Sequence, residues 1–316
     1  MLRIKDIVLL IVVFNSMAAG VIWPNEVCKL GAFLPWILMG LLFLAFLKVF
    51  PSAIWDTLRQ YPVKLALLIL TKLIMLPLII YPLVIKLIPA YALGLLLLAG
   101  VSTGLSAPFF TGLVGANIPL VLAMTVVTTL LLPLTLPLMV KVLVGKELNF
   151  DLMGLAGLMA TMIFVPLLAS GFSRRLLPRL SAWLEKHSYP LSLVLFAAMN
   201  LGAFGLYAPF LKANQSQVVI SILISFGLGA FLATFGVLLF WSSPPPERTA
   251  AAGALSWINN VLVIVLGNYL NDPLTSVLAA LYLIPYYVLI IPLSHLNGGL
   301  RNRGDFGKPP VNDYKE

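Results

Sequence analysis

Lys72 is the residue whose position most restricts the function of this chain. It lies at the centre of the apolar stretch LALLILTKLIMLPLIIYPLVI (65–85), and no acidic residue is near it in sequence. A cation at bilayer depth costs about 3 kcal/mol or more, so such residues usually face a protein-lined cavity and mark a pathway or a ligand site. The alternative is a lysine whose stem reaches up to the membrane interface. Because Lys72 is roughly 15 Å from either end of its segment, we favour a site.

Two other apolar stretches contain small and polar residues at mid-length. The first is AYALGLLLLAGVSTGLSAPFFTGLVGANIP (90–119), and the second is TAAAGALSWINNVLVIVLGNYL (249–270). In the first, Gly100, Gly104 and Pro108 predict a helix break, because glycine loosens the helix and proline removes a backbone donor. The polar candidate ligands in the two stretches are Ser102, Thr103, Ser106, Ser256, Asn259 and Asn260.

A helix break at membrane depth is tolerated only when it is buried in protein or faces a water-filled cavity. Paired breaks in corresponding spans indicate a binding site near the midplane, and half-helix N-termini would direct positive dipole ends toward an anion. The alternative is that the small residues permit close packing and the asparagines link helices. We favour the site and predict that the two breaks meet near the midplane, with Lys72 nearby.

The elements that position these residues are transmembrane helices. Apolar residues make up 61% of the 316 positions and charged residues 10%, which predicts an all-α polytopic membrane protein in a lipid bilayer. The net charge of +9 does not indicate a nucleic-acid partner, because the basic residues lie between apolar spans. Cys28 is the only cysteine, which excludes a disulfide within the chain and a cysteine metal site. We predict no metal and no cofactor.

Ten spans are expected, at about 6–24, 30–50, 63–87, 90–114, 117–144, 151–172, 188–211, 217–241, 249–270 and 273–296. Fourteen of the 20 basic residues then fall on the side of the N-terminus, so the positive-inside rule predicts cytoplasmic termini in a plasma or inner membrane. A cleaved signal peptide is the alternative for the first span. We favour a helix there, because apolar residues continue through Trp23.

The spans divide into two five-helix halves, residues 1–146 and 147–296, followed by a polar C-terminal tail, 297–316. With an odd number of spans in each, the halves would be inverted relative to each other, as in secondary transporters. The amphipathic connections 52–62 and 173–187 would lie at the cytoplasmic surface.

The chain resembles the bile acid:sodium symporter family. The stretches that carry the resemblance are KLIMLP (72–77), LVGANIPL (113–120), TVVTTLLLPLTLP (125–137) and INNVL (258–262). The resemblance implies ten helices in two inverted five-helix repeats. It also implies a core domain with two crossing broken helices, the fourth and ninth, and a panel domain of spans 1, 2, 6 and 7. Substrate would bind between these domains, and their relative movement would give alternating access.

The chain departs from the family pattern at the sodium ligands. The ninth-helix glutamate falls on Leu255, a fourth-helix Ser–Asn pair falls on Ala107–Pro108, and a third-helix glutamine falls on Lys72. Thr125 does match a ligand position of the family. A fixed ammonium would repel sodium, so we interpret Lys72 as a built-in substitute for the ion.

The sequence therefore predicts a secondary active transporter of a small organic anion, without sodium coupling, in which Lys72 could also carry a proton. The alternatives are a sodium-dependent bile acid or organic anion symporter, and a receptor or channel on the same fold. A membrane enzyme would need a nucleophile–base pair or a metal cluster within the bilayer, and the sequence has neither. The predicted substrate- or ion-binding residues are Lys72, Ser102, Thr103, Ser106, Thr125, Ser256, Asn259 and Asn260, with the breaks at Gly100, Gly104 and Pro108.

Overall fold

The computed structural model describes residues 4–145 and 151–296, which form helices joined by short connections. In chain order the helices are α1 (Ile4–Ile22), α2 (Pro24–Phe46), α3 (Pro51–Gln60), α4 (Pro62–Leu87), α5 (Pro89–Gly100), α6 (Ala107–Leu113), α7 (Ile118–Leu143), α8 (Leu152–Leu176), α9 (Pro178–Lys186), α10 (Ser188–Ala213), α11 (Gln215–Leu239), α12 (Pro245–Ser256), α13 (Asn260–Tyr269) and α14 (Pro273–His295). The predicted boundary between the halves and the predicted tail lie outside the described residues.

Two of these helices contain a local change of helix type. Helix α2 has a 3₁₀ stretch at Cys28–Phe33, and α4 has a π-helical stretch at Thr71–Met75. Stretches of π-helix within α-helices often occur at functional sites. The stretch in α4 contains Lys72.

Seven helices of the described part are long and apolar enough to cross a membrane: α2, α4, α7, α8, α10, α11 and α14. Three shorter apolar helices are Ile11–Ile22 within α1, α5 and α13. The chain is therefore a helical integral membrane protein. Ten spans stay a prediction, because they require α1 to cross the bilayer as well, and α5 with α6 and α12 with α13 each to cross it as a broken pair.

Local sequence explains where many of the helices begin. Proline occupies a first-turn position of several helices, where its missing N–H costs no hydrogen bond and its fixed φ suits the helix. Pro51, Pro62 and Pro273 are examples, at the starts of α3, α4 and α14. The side chains of Asn117 and Asp151 accept backbone N–H bonds at the starts of α7 and α8, as N-caps do.

The helices pack in two groups. In a four-helix group, α10 packs against α1 and α2, and α2 packs against α8. In an eight-helix group, α4 packs against α5 and α6 against α7, and in the same way α11 packs against α12 and α13 against α14. The two groups touch chiefly through α7 with α8 and α10 with α14. The broken helices lie in the eight-helix group, beside its contacts with the four-helix group.

Large apolar side chains cover the outer faces of the long helices. Leu83 on α4, Leu134 on α7 and Leu223 on α11 are all more than half exposed. A surface of this kind fits lipid contact. On the amphipathic helices α3 and α9, Trp55 and Trp183 are also more than half exposed, as expected of anchors at the headgroup level.

Candidate functional site

The two helix breaks meet each other directly. Residues 101–106 separate α5 from α6, and residues 257–259 separate α12 from α13. Thr103 and Ile258 form an antiparallel bridge, flanked by hydrogen bonds from Gly104 N to Trp257 O (2.7 Å) and from Asn259 N to Ser102 O (2.9 Å). Each break thus satisfies backbone groups that the other leaves free. The predicted meeting of the breaks is confirmed, whereas their membrane depth stays a prediction.

The residues predicted to break the first span have different roles. Gly104 lies at the crossing, where a Cβ atom would come within 2.7 Å of Ile258 O. Gly100 is the last residue of α5 and packs closely against Pro77. Pro108 lies in the first turn of α6, directly after the break, where its missing N–H breaks no helical bond. The second half-helix thus begins at Ala107, and Pro108 follows in its first turn.

The C-terminal end of α12 is capped by three side chains from elsewhere in the fold. Ala254 O accepts from Thr103 Oγ1 at 2.7 Å, Leu255 O accepts from Lys72 Nζ at 3.2 Å, and Ser256 O accepts from Tyr282 Oη at 2.8 Å. The last carbonyls of a helix have no partner within it, and together they carry a partial negative charge. This end of α12 is therefore suited to a cation, and Lys72 supplies one.

Lys72 is completely buried and lines neither of the two cavities beside the breaks. The sequence predicts a lysine that faces a cavity, and in this structure it faces protein. The physical reason is the free carbonyl of Leu255, which gives the ammonium an acceptor inside the fold. Lys72 is thus placed to hold two elements together, α4 and α12, rather than to touch a solute in this state.

A cavity of about 300 Å³ lies between the two groups of helices, bordered by α2, α6, α7 and α10. Its walls are mostly aliphatic and aromatic side chains, among them Leu41, Leu44, Leu122, Val126 and Phe196. Ser106, Thr125 and Pro108 also line it. The volume is at the lower end of the range of small-molecule sites, so the cavity can hold a compact organic solute.

A smaller cavity of about 40 Å³ lies on the other side of Ser106, against the crossing of the breaks. Its lining contains Asn259 and Asn260 from the second break and Asn200 from α10. Their amides are partly engaged: Asn260 Nδ2 donates to Ala279 O at 3.1 Å, and Asn200 Nδ2 donates to Ser16 Oγ at 3.3 Å. Ser106 lines both cavities. The polar lining of the smaller cavity therefore continues from the larger, mostly apolar cavity toward the crossing.

Of the other predicted residues, Ser102, Thr103 and Ser256 are buried at the crossing, and Thr125 lies on α7 at the large cavity. Ser102 has a buried hydroxyl without a partner among the described residues, and Thr103 caps α12 as described. The hydroxyls of Ser256 and Thr125 donate to carbonyls four residues earlier in their own helices, at 2.8 Å in both cases. The predicted set therefore divides into residues that line cavities and residues that hold the crossing together.

Sequence reasoning missed the tyrosine pair of α14. Tyr286 Oη and Ser106 Oγ are 2.8 Å apart, and both Tyr286 and Tyr287 line the smaller cavity. Their rings pack around Phe110, next to the first break. The signal was present as adjacent tyrosines inside an otherwise apolar span.

Sequence reasoning also missed Lys48. A basic residue in a loop is sufficiently explained by the positive-inside rule, so the sequence gives no sign that it lies at a cavity. It lies just after α2, lines the large cavity and is exposed. Partial burial of its side chain lowers the pKa of Lys48 from its ordinary value, and the nearby carboxylate of Glu185 opposes this shift.

Broken helices that cross beside a cavity, in a helical chain with an apolar exterior, define a membrane transport protein. The family model described as the sodium bile acid symporter family matches residues 35–214. This range is more than half of the chain, and the chain therefore belongs to the sodium bile acid symporter family. The resemblance seen in the sequence is confirmed. Members of this family are transporters and not enzymes.

A curated relative agrees with this assignment. The protein described as "Probable sodium/metabolite cotransporter BASS5, chloroplastic", from Arabidopsis thaliana, is 26% identical over 195 residues. The match covers 58% of this chain and 47% of the relative, so the chain spans about half the length of the curated relative that it matches.

Proposed function

We propose that this protein is a secondary active transporter of a small organic anion, that it works by alternating access, and that Lys72 replaces a sodium ion in its coupling. The observation that carries the proposal is the bond from Lys72 Nζ to Leu255 O. In the family pattern a glutamine and a glutamate that serve sodium fall on these two positions. Here an ammonium and a main-chain carbonyl meet there, and neither residue offers sodium a side-chain oxygen.

The proposed architecture has ten spans in two inverted five-helix repeats. The matching packing of α4–α7 and α11–α14 supports it, because each set has a long helix, a broken pair and another long helix in the same order. The eight-helix group would be the core domain, and the four-helix group would be the panel domain. The large cavity between the groups would hold the substrate, and movement of one group against the other would give alternating access.

The second candidate is sodium-dependent symport. The relative is named a sodium/metabolite cotransporter, and Thr125 occupies a position that matches a family sodium ligand. Two observations argue against sodium-dependent symport. Thr125 Oγ1 already donates to Val121 O. The family's Ser–Asn pair is replaced by Ala107 and Pro108 at the start of α6. We therefore place sodium-independent transport first.

The test is uptake into proteoliposomes. Carboxylates, sulfonates and sterol conjugates are first screened by thermal shift, because a ligand that binds only the folded protein raises its melting temperature. Uptake of the best anion is then measured with sodium, potassium or choline at equal ionic strength. We expect the same rate in all three salts. A steep dependence on sodium would contradict the proposal and support the second candidate.

Variants of Lys72 test whether uptake and its independence of sodium depend on this residue. Lys72→Met keeps the approximate volume of the side chain and removes its charge, so we expect uptake to fall at least about tenfold. Lys72→Gln restores the family residue without the other sodium ligands, so it should impair uptake without creating sodium dependence. Lys86→Met is the control, because Lys86 is an exposed lysine of the same helix. Stimulation of the wild type by an inward proton gradient, lost in Lys72→Met, would show that Lys72 carries the coupling proton.

A further inference from the structure

The polar groups of the large cavity are concentrated at its two ends. Lys48 and Tyr189 lie beside the end of α2 and the start of α10, and Ser106 and Thr125 lie beside the first helix break. Ser192 lines the cavity one turn from Tyr189, Thr129 lines it one turn from Thr125, and the remaining lining side chains are apolar. Lys48 is the one charged residue among the described residues that line this cavity. A solute that fills the cavity would therefore meet a cation at one end, hydroxyl groups at the other and hydrocarbon between them.

The backbone that carries Lys48 is held in place by Arg174 of α8. The Arg174 guanidinium donates to Phe46 O and Val49 O, each at 2.9 Å, and to Leu47 O. It also lies over the ring of Phe50. These contacts satisfy the carbonyls at the end of α2 and fix the turn from which Lys48 extends. The lysine is thus presented on an ordered segment, in contrast to a freely moving surface lysine.

The ammonium of Lys48 makes no hydrogen bond or ion pair among the described residues. Glu185 affects it electrostatically without forming an ion pair. An ordered cation that borders an apolar cavity without a bonded partner offers a binding position to an anionic group.

We propose that Lys48 binds the anionic head of the substrate and so acts as a specificity residue of this cavity. The carboxylate or sulfonate of the substrate would contact Lys48, and its apolar body would lie along α2, α7 and α10 within the cavity of about 300 Å³. This inference rests on the proposed function and adds a specificity residue to it. A neutral compound with the same apolar body would lose the charge-assisted hydrogen bond to the ammonium and keep the apolar contacts.

The experiment uses the purified full chain and the matched pair 4-phenylbutyrate and 4-phenylbutanol, with the dissociation constant of each measured by equilibrium binding. We expect the wild type to bind the carboxylate about tenfold more tightly than the alcohol. Lys48→Met should remove this preference by weakening the carboxylate alone, and Lys48→Arg should retain it. Lys186→Met is the matched control, because it removes an exposed positive charge from neighbouring α9 without changing the cavity lining.

The outcomes separate this inference from the proposed function. If the wild type prefers the carboxylate and Lys48→Met keeps that preference, Lys48 is not the counter-ion and anion transport stands. If the wild type binds carboxylate and alcohol equally, Lys48 does not select an anionic group and the inference is wrong, while uptake in proteoliposomes still decides the proposed function. If Lys48→Met and Lys186→Met weaken the carboxylate equally, the effect is one of general surface charge and the proposal fails.

Discussion

At the scale of single residues, the crossing of the broken helices depends on positions where no larger side chain fits. Gly104 is the clearest case, because its missing Cβ leaves room for Ile258 O and Tyr286 Oη. The neighbouring backbone bond from Gly104 N to Trp257 O requires the same close approach. A glycine here serves the contact between two distant parts of the chain and not merely local flexibility.

Gly104→Ala should destabilise the protein by about 1–3 kcal/mol, because the new methyl group would lie 2.7 Å from Ile258 O and one of the two strands of the bridge would have to move. The measurement is the thermal unfolding midpoint in detergent, together with anion uptake. Gly227→Ala is the control: Gly227 lies within α11, and no other atom is within 4 Å of the position that its Cβ would take. That change should be neutral or slightly stabilising. Equal midpoints for the two variants would show that the crossing does not need a glycine.

At the scale of elements, the ends of helices carry much of the organisation of the site. The last carbonyls of α12 are bonded by side chains from three other segments, and those of α2 by Arg174. In lipid an unpaired carbonyl costs several kcal/mol, so these bonds fix where each helix ends. The end of α12 positions Lys72, and the end of α2 positions Lys48.

Arg174→Gln should loosen the end of α2, since a carboxamide cannot reach three carbonyls as the guanidinium fork does. We expect a loss of about 1–3 kcal/mol of stability and faster proteolysis near Val49. Arg174→Lys should recover only part of this. The neighbouring Arg175→Gln, an exposed change, should stay within about 0.5 kcal/mol of the wild type. The interpretation fails if Arg174→Gln and Arg175→Gln unfold alike.

At the scale of the whole molecule, the large cavity reaches the side that the basic loops predict to be cytoplasmic. Lys48 and Tyr189 mark that side, and Thr125 lies deeper in the lining. On the opposite side, Tyr207 Oη donates to Asn268 Oδ1 at 3.3 Å and links α10 to α13. The structure therefore has an opening between the two helix groups on one side and a contact between them on the other.

A single-cysteine protein tests sidedness and movement together. Cys28 is the only cysteine, so Cys28→Ser followed by Thr125→Cys places one thiol in the cavity. A membrane-impermeant thiol reagent should label it in inside-out vesicles and much more slowly in right-side-out vesicles. Under an imposed substrate gradient, the difference should shrink as the cavity alternates. Rapid labelling from the outside alone would show that the predicted topology is inverted.

Reporter fusions test the topology separately. Fusions at Glu316 and in the Lys212 loop should give opposite readouts.

The sequence by itself determined the class of the protein, because lipid requires long apolar helices and the family stretches lie within them. It also located both helix breaks, since paired glycines, polar residues and asparagines inside apolar spans have few other physical explanations. The correspondence of the two halves predicted that the breaks meet, and the structure shows the contact as the bridge between Thr103 and Ile258.

Only the tertiary structure decided what each polar residue faces. Lys72 was expected at a cavity and is bonded to Leu255 O, while Lys48 was counted as a loop charge and lines the cavity. Tyr286 reaches Ser106 from 180 residues away in sequence. Spacing along one helix gives the depth of a side chain, but the choice between a neighbouring carbonyl and an open cavity depends on which other helices pack against it. That choice is made by contacts between segments far apart in the chain.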